Sequence, residues 1–179
     1  MTWLKIGVAV VVVFIVVVGI LAARKPDVFR VQRGISIKAA PEKIFPLIND
    51  LHRWSEWSAY EKKDPAMKRT FSGSQLGVGA VYEWSGDKNV GSGRMEIIHA
   101  EAPSKVTIKL DFITPFEGHN TAEFTLTPNA TAGVTDVTWA MYGPAVCLSK
   151  IMQVFIDMDH MVGKDFELGL EALKVAAEK

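Results

Sequence analysis

The sequence predicts an α+β domain, a curved antiparallel sheet around a long C-terminal helix, preceded by one transmembrane helix. Three observations carry that expectation. An unbroken apolar run fills Ile6–Ala23, and hydrophobicity then alternates with period two through much of residues 68–142. From Leu148 to Leu173 the apolar residues recur every three or four positions.

The N-terminal run has eighteen residues and not one charged or hydrogen-bonding side chain. At about 1.5 Å per residue it makes roughly 27 Å of helix, close to the hydrocarbon thickness of a bilayer. A cleaved signal peptide is the alternative, but its apolar region is about 7–15 residues and ends in a small-x-small site. Here the run is longer and ends Ile20-Leu21-Ala22-Ala23-Arg24-Lys25. Residues 1–25 therefore read as an uncleaved single-pass anchor, with Trp3 at one interface and Arg24-Lys25 at the other. Lys5 is the only basic residue before the run, whereas Arg24, Lys25, Arg30, Arg33 and Lys38 follow it. The positive-inside rule then places the C-terminal domain in the cytoplasm. The single Cys147 has no partner for an intramolecular disulfide, which agrees with that side.

Residues 26–179 are enough for one domain with one core. Val28 to Ala39 alternates and reads as a strand. Ala40-Pro41-Glu42 opens a helix with proline in its first turn, and Pro46 makes that helical region short or broken. Strand character follows around 68–72, 79–85, 91–99, 104–112, 119–127 and 133–142. Val106, Ile108, Leu110 and Phe112 share one face against Thr107, Lys109 and Asp111. Such alternation marks antiparallel strands with one covered and one wet face. The amphipathic C-terminal helix supplies the cover. Gly163 and Gly169 weaken it by about 1 kcal/mol each relative to alanine, so they mark a close backbone approach or a bend.

One stretch, "VYEWSGDKNVGSGRMEII" (Val81–Ile98), offers a nucleotide-binding alternative. A dinucleotide loop needs its glycines directly after a strand and at the start of a helix. Gly91-Ser92-Gly93 instead leads into a strand-like segment, and Glu96 stands where the third glycine belongs. The polar "SGDKN" is a hairpin turn. Nucleic acid is excluded on another ground: 20 basic and 20 acidic residues balance, and no basic excess is left to neutralise phosphates.

The order of elements is that of the helix-grip fold, and the chain resembles the START-like (SRPBCC) superfamily, especially its bacterial polyketide cyclase/dehydrase-like members. The resemblance covers roughly Val31 to Ala177. It rests on Ala40-Pro41-Glu42-Lys43-Ile44-Phe45, on Trp54 and Trp57, and on "YEWSG" with "GSGRMEI". "FITPFEGHNTAEFTLTP", "GVTDVTWAMYG" and "DFELGLEALK" complete it. It implies an elongated apolar cavity between sheet and helix. Tyr82, Trp84, Met95, Ile97, Phe112, Phe124 and Trp139 would line it from the sheet. Phe155, Met158, Val162 and Phe166 would face them from the helix, with Trp57 closing one end.

Catalytic motifs are sparse. Histidines stand at 52, 99, 119 and 160 without an HExxH or Cys/His metal pattern, so neither metal nor cofactor is expected. Asp157 and His160 are neighbours on one helix face and fit an acid–base pair as well as a capping pair. His119, beside Asn120, is the other catalytic candidate, near a cavity mouth. Three functions stay open: a membrane-anchored binder of a small hydrophobic or lipid-like molecule, a cyclase/dehydrase-like enzyme, and a membrane-bound protein-interaction module.

Overall fold

Period-two alternation builds the sheet. The structure, a computed structural model, describes residues 2–145, 147–155 and 157–179. Helix α1 spans Thr2–Ala23 and β1 spans Val28–Ile37. Helix α2 (Pro41–Asn49), a 3-10 helix over Leu51–Glu56 and α3 (Ala59–Lys63) precede a run of strands. These are β2 (Lys68–Gly73), β3 (Ala80–Ser85), β4 (Ser92–Glu101), β5 (Lys105–Thr114), β6 (Gly118–Pro128) and β7 (Thr135–Pro144). Helices α4 (Cys147–Phe155) and α5 (Met158–Ala177) end the chain.

All seven strands form one antiparallel sheet in the order β1-β7-β6-β5-β4-β3-β2. Strands β2 to β7 thus make a meander of local hairpins, and β1 joins the far edge through β7. Helix α5 lies along β1 and packs on α2, α3 and the 3-10 helix. This is the helix-grip architecture, with an apolar helix at its N-terminus.

One local expectation holds and one is corrected. Helix α2 is short, but it runs on through Pro46 to Asn49. Pro46 is its sixth residue, so the missing amide removes one intrahelical bond, and burial of Ile44, Phe45, Leu47 and Ile48 holds the rest. The amphipathic pattern from Leu148 is not one helix. It breaks after α4, and Asp157 caps α5 by accepting a hydrogen bond from the His160 backbone N–H at 2.9 Å. Hydrophobic period survives across the break, which is why it is invisible to pattern alone.

The glycines show where close approach is required. The Arg33 guanidinium from β1 lies over Gly163, where a Cβ would meet its Nη2 at 2.0 Å. Arg33 donates to Asp159 and Glu167 at 3.0 and 2.7 Å and ties α5 to β1. On the sheet, Gly93 faces Trp84 across the β3–β4 pair, and the indole lies on it. A Cβ at Gly93 would come within 2.3 Å of that ring and 2.5 Å of the Asp111 carbonyl oxygen. The Trp84 indole N–H donates to the Val90 carbonyl at 3.1 Å, in the turn. The hairpin thus exists partly to seat this ring.

Two predictions follow from these contacts. Gly93→Ala is expected to lose about 1–3 kcal/mol by overpacking, measured by denaturant unfolding. The Arg33 hydrogen bond holds the Asp159 carboxyl below its ordinary value, against the opposing effect of desolvation. Stability from a depressed carboxylate is present above its unfolded value and lost as pH falls through the folded one. Amide exchange in the first turn of α5 should therefore accelerate only below about pH 4, and Asp159→Asn should abolish that dependence.

Candidate functional site

Cross-strand partners share a face of the sheet, so the register identifies which side chains lie under the helices. Tyr82 pairs with Met95, Met95 with Leu110, Gly93 with Phe112, and Phe124 with Trp139. This face has two parts.

The first is a closed aromatic core. The Trp139 ring stacks on Phe166 of α5 with centroids 3.9 Å apart and planes within 7°. It stacks on Phe124 at 4.9 Å and meets Trp57 edge-on at 5.7 Å. Trp54 joins from the 3-10 helix. The Trp54 and Trp57 indole N–H groups donate to the carbonyls of Ile48 and Leu47, at the end of α2. Gly169 lets Trp139 approach α5, since a Cβ there would stand 2.9 Å from the ring. Trp57, Phe124, Trp139 and Phe166 are all buried and fill the seam with one another. Trp139 Nε1 and Asn49 Oδ1 are buried side-chain polar atoms without a protein partner.

The second part is an open strip. Phe71, Tyr82, Trp84 and Phe112 run across β2, β3 and β5 with centroid spacings of 5.0, 6.2 and 6.0 Å. Trp84 and Phe112 are half-buried and Phe71 is 38% exposed, while Tyr82, Met95 and Leu110 are buried between them. Asn120, the β6 partner of Leu110, is a half-buried polar group on the same face. Val162 is half-buried against the core from α5.

A polar cluster borders the strip, and sequence reading missed it. The Tyr82 hydroxyl donates to Glu61 at 2.5 Å, and Arg69 Nε donates to the other Glu61 oxygen at 2.7 Å. Glu61 is only 8% exposed in its side chain. Burial, then the Glu61 hydrogen bond, push the Tyr82 phenol well above its ordinary value, so it stays protonated. Burial and Asp165 do the same to Tyr60. Neither pair stands at a recognisable sequence spacing, because α3 meets β3 in the first and α5 in the second. Both Glu61 oxygens are engaged, so the group is set to bind and orient.

The expected site residues are thus only partly brought together. Tyr82, Trp84, Met95 and Phe112 form the strip, and Trp57, Phe124, Trp139 and Phe166 the closed core. Phe155 is elsewhere: it is 61% exposed and its ring faces Phe14 of α1. The Met158 side chain lies outside the described residues. His119 is on the outer face, opposite Asp111 in the register, with Nδ1 2.7 Å from its carboxylate, and so does not reach the mouth. Asn120, next to it, does face inward. Asp157 serves as a helix cap rather than the partner of an imidazole, and the His160 contribution is its backbone N–H. Among the described residues no group of three or more metal-ligating side chains converges.

A family model described as polyketide cyclase/dehydrase and lipid transport matches residues 28–178. The chain belongs to that family, within the START-like superfamily. No curated protein gives a significant sequence match. Among solved structures, a protein from Chromobacterium violaceum is 14% identical with TM-score 0.59, covering 87% of this chain and 99% of that one. The Aha1 dimer from Colwellia psychrerythraea is 18% identical with TM-score 0.56, covering 84% and 96%. DynU16, from the dynemicin biosynthetic locus, is 17% identical with TM-score 0.56, covering 87% and 48%. At these identities the likeness is one of fold. The fold and family are those of a hydrophobic ligand-binding domain.

The two parts of the face are separable by mutation. Trp139→Ala is expected to cost about 3–5 kcal/mol in denaturant unfolding, because it empties a closed core. Phe112→Ala, at the half-exposed strip, should cost well under that and leave a folded domain.

Proposed function

We propose that the chain is a membrane-anchored binding protein for a small hydrophobic or lipid-like molecule. The observation that carries this reading is the half-exposed strip of Trp84 and Phe112, left open on the helix-covered face of a family whose domain holds apolar ligands. An apolar surface of this kind, rimmed by a few polar groups, suits an amphiphile. Met95 provides an adaptable wall beside the rings. Asn120, half-buried on the same face, is the polar group available to a head group or an oxygenated chain, and the Tyr82 hydroxyl, held by Glu61, borders the strip.

The membrane part of the proposal comes from α1. Its apolar span from Lys5 to Ala23 is long enough to cross a bilayer and only 6% of it is buried against the rest of the chain. The basic residues beyond it favour a cytoplasmic domain. Between Ala23 and β1 stand only Arg24, Lys25, Pro26 and Asp27. Four residues extend at most about 14 Å, which keeps the domain against the membrane face. The anchor then supports exchange of membrane-derived molecules over short distances.

Organic extraction of the purified full chain, followed by mass spectrometry, is expected to yield an apolar or amphiphilic ligand in stoichiometric amount. Trp84→Ala should lower binding of a fluorescent fatty acid by about tenfold, the equivalent of roughly 1.4 kcal/mol. Unchanged binding in the folded variant, with no extractable ligand in the native chain, would contradict the proposal.

A further inference from the structure

Helix α4 packs chiefly on α1, not on the sheet. The Phe155 and Phe14 rings lie 6.4 Å apart, near the middle of the apolar span. At the other end of α4, Ala145, Lys150 and Ile151 face Gly19, Ala22 and Ala23 across a groove of about 320 Å³. The two helices are therefore antiparallel neighbours. Phe14 stands nine residues before Ala23, which is about 13 Å along a helix. That is close to the depth of one leaflet, about half of a 30 Å hydrocarbon core.

We infer that α4 and its elbow with α5 form a re-entrant element that seats in one leaflet of the bilayer beside α1. The inference rests on the membrane-anchor reading and goes beyond it, because a simple tether would leave the whole domain in water. Phe155 and Met161 are the exposed apolar side chains at the elbow, 61% and 51% accessible, and lipid is the partner that covers them. Continuity with α1 identifies that partner: the Phe155 ring stands beside Phe14 on the exposed flank of the span.

The acidic groups of this region can enter the leaflet, since each has a partner. Asp157 caps α5, Asp159 is held by Arg33, and Asp27 accepts from Lys150 at the edge of the groove. Charges near a membrane core are tolerated when paired in this way. Helical residues freed from water must satisfy their own backbone, and both elements at the elbow are helices. Val162 and Phe166 lie in the first three turns of α5, so the element carries one end of the apolar seam to the level of the acyl chains.

The test uses the full chain in phosphatidylcholine liposomes. In a Cys147→Ser background, single cysteines replace Val12, Phe155, Met161 or Leu168 and carry an environment-sensitive fluorophore. Leu168 is exposed on α5 and serves as the aqueous reference. Labels at 155 and 161 are expected to be blue-shifted and quenched severalfold more by acyl-chain nitroxide lipids than by aqueous iodide, with the label at 168 showing the reverse. A label at 155 and 161 that behaves like 168, while 12 remains lipid-quenched, overturns the re-entrant element and leaves the anchor intact. Iodide access at position 12 overturns the anchor reading, and this inference falls with it.

Discussion

The stack of Trp139 on Phe166 is the interaction on which the rest of the domain depends. It joins β7, next to the edge strand β1, to the middle of α5, and both rings are buried. A helix carrying any side chain at position 169 would stand too far away for that stack, so the glycine is spent on proximity. Its loss of helix propensity, about 1 kcal/mol, is small beside burying two large aromatic rings. Arg33 over Gly163 repeats the device one and a half turns earlier with a charged group. Together the two contacts set the height and the rotation of α5 over β1 and β7.

Because the stack closes that half of the face, binding has to be sought in the other half. Strands β3 to β5 are wider than the cover that α5 gives them, and Trp84 and Phe112 remain half in water. The Trp84 ring is fixed there by Gly93 beneath it and by its hydrogen bond to Val90. A large flat ring held at the edge of a packed core is suited to meet an apolar partner, with little entropy left to lose on binding. Glu61 and Arg69 hold the neighbouring Tyr82 hydroxyl in one orientation, which makes the polar rim as fixed as the apolar surface.

Much of the architecture was legible in the sequence because it follows from period. Two-residue alternation marks strands, and the polar "SGDKN" marks the hairpin that the structure shows. The family resemblance, carried by residues such as Trp54, Trp57 and the "YEWSG" segment, agrees with the family match over residues 28–178. What was not legible shares one cause: contacts between residues remote in sequence. The break at Asp157 leaves the apolar period untouched and is set by a cap. Phe155 lies in phase with the residues of α5, yet that break turns it toward α1. His119 and Asn120 are adjacent, and only the register shows that one points outward and the other inward. The division of the aromatic residues into core and strip likewise depends on how far α5 reaches across the sheet.

The central claim is that the Trp84–Phe112 strip receives the ligand while the Trp139–Phe166 stack remains the wall beside it. Fluorine NMR of the full chain in detergent-free nanodiscs, with all five tryptophans labelled as 5-fluorotryptophan, tests it directly. Addition of a fatty acid is predicted to move the Trp84 resonance most and Trp139 less, leaving Trp54 and Trp57 in place. A titration that perturbs Trp3 alone, with the four domain resonances unchanged, would contradict it.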